Sequence, residues 1–108
     1  MTDKELLELA AKAAGIELVQ FYDGLHDVTD DPNKIGRTWN PLTDDGDALR
    51  LAVKLTMSIS YWEHLEIVSV EAATKQTGVS LDEPFGEDLY AATRRAIVRA
   101  AAEIGRTL

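Results

Sequence analysis

Apolar residues recur at helical spacing from the start of the chain. Leu6, Leu9, Ala10 and Ala13 fall on one face of a helix predicted over Asp3–Ala14, and Gly15 follows as a stop. The period then changes. In "IELVQFYD", Ile16, Leu18 and Phe21 are apolar with Val19 between them, a strand-like stretch that ends at Asp23-Gly24. Residues 24–43 hold neither period and are punctuated by Gly24, Pro32, Gly36 and Pro41. Val28, Ile35 and Trp39 are the apolar pins of this irregular stretch, with room for a short edge strand around Ile35–Trp39. A second helical face follows in Ala48, Leu51, Ala52 and Leu55, with Leu49 and Val53 widening it. "SISYW" and "LEIVSVEA" alternate on either side of Glu63-His64 and predict a hairpin. In it Ile59 and Tyr61 share one face, and Leu65 and Ile67 share one face of the partner strand. "TGVSLDEP" adds a short further strand. A long last helix over about Asp88–Ile104 turns Leu89, Ile97, Ala100, Ala101 and Ile104 inward.

The order predicts an α+β fold: three helices with a small sheet of three to four mostly antiparallel strands, in a single domain over residues 1–108. The acids before the second helix have a structural use. Thr43 or Asp44 can accept the unpaired first-turn N–H groups, and Asp45 and Asp47 stand at the positive end of the helix dipole.

Charge changes the picture more than composition does. Nineteen acids against 11 bases give a net charge of −8. Residues 1–47 hold 11 of those acids and 4 bases, so the imbalance lies in the first half. Such a chain does not bind a nucleic-acid backbone through general electrostatics. Its acidity either simply keeps a small protein in solution or suits a basic protein surface. There is no cysteine, which excludes disulfide and thiolate chemistry. The apolar runs are too short to span a bilayer, and "MTDKELLELAAKAAG" carries acids that no signal peptide core contains, so the expectation is a cytoplasmic protein.

Reactive patterns are scarce. His26 stands among Asp23, Asp27, Asp30 and Asp31, but without a defined ligand spacing this reads as a solvated acidic loop. The chain has no G-x-S-x-G elbow, P-loop or G-x-G-x-x-G motif, and no enzyme is expected. Arg94, Arg95 and Arg99 cluster on the last helix, where Arg99 and Glu103 are spaced to pair. With Trp39 they form the one basic candidate for gripping a nucleotide-like anion.

The stretches "WNPLTDDGDALRLAVKL", "YAATRRAIVRAAAEIGR" and "DKELLELAAKAAGI" resemble, in that family's order, the small bacteriophage and prophage proteins grouped as the phage ABA sandwich domain. The resemblance covers most of the chain. It implies an alpha-beta-alpha sandwich made in the cytoplasm of an infected host, and it implies no reaction and no known binding residues.

Two functions are thus in competition. In the first, a small non-enzymatic phage accessory protein binds a host or defence component, with Asp27, Asp30, Asp31, Asp44 and Asp45 as its contact residues. In the second, Trp39, Arg94 and Arg95 hold a nucleotide-like anion. Neither needs a metal or other cofactor, and a hairpin edge leaves room for a homodimer.

Overall fold

The computed structural model describes residues 1–27, 36–73 and 78–108. It shows an α+β fold, as the pattern predicts, in the order α1 (Asp3–Ala14), β1 (Leu18–Phe21), β2 (Gly24–Asp27), α2 (Asp45–Lys54), β3 (Ser58–Trp62), β4 (Ile67–Ala73), β5 (Gly78–Pro84) and α3 (Leu89–Arg106). The strands divide into two antiparallel sheets, β1-β2 and β3-β4-β5, where the sequence pattern reads one. The extra strand, β2, lies in the stretch read as irregular. Its four residues include His26 and Asp27, too short and polar a run to announce itself. Gly24, with φ at 129°, lets the chain turn back after Phe21, a conformation that side chains disfavour. A single bridge from His26 to Thr38 continues this sheet, where an edge strand was expected. Val28, Ile35, Asp30 and Asp31 lie outside the described residues.

The last helix is the hub. α3 packs against α1, against β4 and β5, and against α2. It is therefore buried on more than one face: Ala92, Ala96, Val98 and Ala102 are covered along with the expected Ile97, Ala100, Ala101 and Ile104. Small residues make this possible, because alanine and glycine let two backbones approach closely. At Gly105 the approach is closest, for a Cβ there would run into the carbonyl group of Leu9. The inner stripe of α1 is Leu7, Ala10, Ala11 and Ala14, rotated from the predicted stripe so that Leu6, Leu9 and Ala13 flank it.

The three-stranded sheet turns Val68, Val70 and Ala72 toward the core, and Ile59 and Tyr61 lie opposite Val70 and Val68 on the same face. The prediction that Leu65 and Ile67 share one face of the same strand is corrected. Leu65 belongs to a single 3₁₀ turn (Glu63–Leu65), and Glu66 at φ 53° resets the strand so that Ile67 faces Trp62 across the ladder. Among the described residues no helix is long and apolar enough to cross a membrane.

Asp44 caps α2 by accepting the N–H of Asp47 at 2.8 Å. Asp44→Ala removes that acceptor and is expected to cost about 1 kcal/mol, read as a shift in the urea midpoint at constant slope. An unchanged midpoint would mean that the cap contributes nothing.

Candidate functional site

Leu49 and Val53 were expected to widen the buried face of α2. Both are exposed instead, at 62% and 66%. The reason is geometric: α2 packs on α3 through Ala48, Leu51 and Ala52, which leaves Val53 on the outer surface and Leu49 at the edge of a gap. That gap is a groove of about 500 Å³ between α2, β3 and the first turns of α3. Its walls are mostly apolar: Ala48 and Leu49 from α2, Ile59 and Tyr61 from β3, and Leu89, Tyr90 and Ile97 from α3. Leu89 was predicted to point inward, yet it is 40% exposed here, and Tyr90 beside it is 72% exposed. Scattered exposed apolar side chains are ordinary, whereas several gathered in one concavity mark a contact site.

Polar groups fix the shape of the groove. The Tyr61 hydroxyl and Thr93 Oγ1 are 3.0 Å apart, and Thr93 donates to the Leu89 carbonyl at 2.8 Å. At one end Arg94 donates from Nη1 to Asp45 Oδ1 at 2.6 Å and from Nε to the Leu42 carbonyl at 2.8 Å. This ion pair joins one residue from each competing reading. It makes the arginine part of the wall and leaves little charge unmatched at that point.

The other candidates are dispersed. Trp39 is a core residue, 5% exposed, with its backbone N–H donating to the Leu25 carbonyl at 2.8 Å. It cannot serve as an open stacking platform, so the grip of Trp39, Arg94 and Arg95 on one anion is not assembled. Arg95 is exposed on the far side of α3 from the groove, beside a shallow recess with Leu42, Phe85 and Glu87. Arg99 pairs with Glu83 and not with Glu103, which pairs with Arg106 at 2.9 Å. β5 reaches Arg99 because α3 lies on it. Asp44 is occupied as a cap and Asp45 as a partner of Arg94, while Asp27 donates its N–H to the Arg37 carbonyl at 3.0 Å.

Two acid-loop residues depart from expectation. Asp47, read as a dipole residue, is buried; it accepts the Asn40 N–H at 3.0 Å and Arg50 at 2.7 Å. His26, read as solvated, is 7% exposed. Its Nδ1 faces the Gly36 carbonyl at 2.7 Å and its Nε2 faces Asp23 at 2.8 Å, with the Phe21 ring edge-on at 4.8 Å. Both partners only accept, so both nitrogens must donate, and only the imidazolium can satisfy them. The Gly36 carbonyl first, then the Asp23 carboxylate, raises its pKa above the ordinary 6.5. A raised folded value means that the stabilisation is complete below 6.5 and is lost as pH climbs through that raised value. Amide exchange of residues 24–27 should therefore quicken from mildly acidic to alkaline pH, beyond the intrinsic base catalysis; exchange that follows the intrinsic rate alone would refute it. Among the described residues, no group of three or more His, Asp or Glu is placed to hold a metal ion.

The chain matches no protein-family model, no curated protein and no solved structure.

Proposed function

We propose that this chain is a small non-enzymatic accessory protein, of the phage ABA sandwich kind that its sequence resembles, which captures a basic segment of a host or defence protein in the groove between α2 and β3. The observation that carries the reading is the collection of Leu49, Tyr61, Leu89 and Tyr90 around one apolar concavity. Exposed apolar and aromatic groups of this kind supply most of the affinity at protein interfaces. The net charge of −8 supplies the long-range attraction, and Asp27, Asp30, Asp31, Asp44 and Asp45 contribute to it as part of the field in place of a contact surface. Infection of a host cell and a cytoplasmic location belong to the same proposal. The anion reading loses its support with the burial of Trp39 and the pairing of Arg94.

A randomised dodecapeptide library panned against the protein tests this. The retained peptides should be basic and carry apolar residues, and they should bind more weakly as salt rises. The double variant Leu49→Asp, Tyr90→Asp should weaken them by about a hundredfold, since two apolar contacts of the groove wall are lost and water enters the groove. Both positions are exposed, so its melting curve should stay near the parent's. Retained peptides that bind the double variant as tightly as the parent would reject the groove as the capture site.

A further inference from the structure

The captured segment, we infer, is an extended strand with alternating apolar and basic residues, added to the open edge of β3. This rests on the groove reading above and specifies how the groove is used. β3 is the outer strand of the β3-β4-β5 sheet and pairs with β4 alone among the described residues. Which of its backbone groups face outward follows from the other end of the ladder. Pro84 stands opposite Ile67 and has no N–H, while Phe85 donates to the Glu66 carbonyl at 2.8 Å. In an antiparallel ladder the bonded residues alternate, so Glu66, Val68 and Val70 turn their backbone groups to β5, and Ile67, Ser69 and Glu71 turn theirs to β3. The residues of β3 bonded to β4 are then Ser58, Ser60 and Trp62, opposite those three. Ile59 and Tyr61 present their N–H and C=O groups outward, with their side chains on the groove face.

The two edges of the sheet are unlike. β5 carries Asp82, Glu83 and Pro84, the charges and proline that discourage pairing, whereas "SISYW" has neither charge nor proline along its length. A strand laid beside β3 meets two sets of surroundings because its side chains alternate. Every second residue drops into the groove onto Leu49, Leu89 and Ile97. The residues between lie on the outer face, level with Ser60 and Trp62. Charge selects the occupant. Glu63 follows β3, and Glu87 and Asp88 precede α3, within a chain of net charge −8, while Asp45 and Arg94 at the groove's end neutralise each other. A basic strand is attracted to that field, while a second copy of this chain brings another −8 against it.

Two substitutions separate backbone from side chain. Ile59→Ala and Ile59→Pro both remove the isoleucine, but only proline removes the outward N–H, and the ladder to β4 keeps its bonds. With peptides retained from the library, Ile59→Ala should weaken binding by less than about tenfold and Ile59→Pro should abolish it. The Tyr61 amide of the unsubstituted protein, open to exchange alone, should become protected on binding, and this decides the matter even if the proline variant fails to fold. The retained peptides should alternate apolar and basic residues. Equal effects of the two variants, an unprotected Tyr61 amide and apolar residues spaced three and four apart would overturn strand addition, yet leave groove capture standing if the double variant Leu49→Asp, Tyr90→Asp still weakens binding about a hundredfold. Peptides indifferent to Leu49 and Ile59 alike would overturn both. A Tyr61 amide already protected in the protein alone, with a dimer in sedimentation, would overturn the basic occupant in favour of a second copy.

Discussion

Gly105→Ala should lower stability by about 2 kcal/mol, although glycine-to-alanine in an open helix gains close to 1 kcal/mol. The sign reverses because of what lies opposite. An added Cβ would meet the carbonyl oxygen of Leu9 and come within 2.8 Å of its carbonyl carbon, and backbone in the middle of α1 has no rotamer with which to step aside. Either α1 lifts off α3, opening space around Ala10, Ala11 and Ala101, or the crowding stays as strain. At this chain length each kcal/mol lowers the melting temperature by roughly 4–8 °C. Gly46→Ala is the comparison: its Cβ would meet only the ends of the Arg50 and Asp44 side chains, at 3.2 Å, and those can move. That variant should melt near the parent. If Gly105→Ala does so too, the close contact of α1 with α3 is misplaced.

Asp47→Ala should cost about 3 kcal/mol, the most of any acid substitution. The carboxylate is 4% exposed and serves two elements at once. It accepts the Asn40 N–H from the preceding loop and Arg50 from its own helix, with an Arg37 guanidinium nitrogen 3.6 Å away. Asn40 in turn shapes the entry to α2, where its carbonyl accepts from Thr43 and Asp44 and its side chain from Leu42. Removing the carboxylate strands the Asn40 N–H without a partner. The arginines are largely exposed and return to water, so the loss lies in the orphaned donor and the loosened loop. Asp47→Asn keeps an acceptor and should recover more than half of the loss. Equal melting of Asp47→Ala and the parent would show that the loop is held by other contacts.

The long periodic elements were legible in the sequence. α1 and α3 stand within a residue or two of their predicted bounds because periodicity, caps and glycine stops agree there. The hairpin was legible as well, and so was β5. The faces were harder to read. Leu49 and Val53 look like core residues because they are apolar and adjoin the true stripe, and sequence carries no sign of the gap that α2 leaves beside β3. The groove is therefore a tertiary feature, and two of the misassigned apolar residues, Leu49 and Leu89, line it. β2 escaped notice since four residues containing a histidine and an aspartate lack a pattern. Asp47 was read as a helix-dipole residue and His26 as solvated, although their burial depends on the Asn40 N–H and the Gly36 carbonyl, which approach from other parts of the chain. Trp39 was legible as a loop anchor, but its alternative use as a ligand platform required an exposure that the fold does not give it.

Amide chemical-shift mapping with a basic peptide retained from the library tests groove capture most directly. The amides of Leu49, Ile59, Tyr61, Leu89 and Tyr90 should move together and saturate along one curve. Shifts confined to Asp27, Arg37 and Arg50, or to Arg95, with the groove amides unmoved, would contradict groove capture.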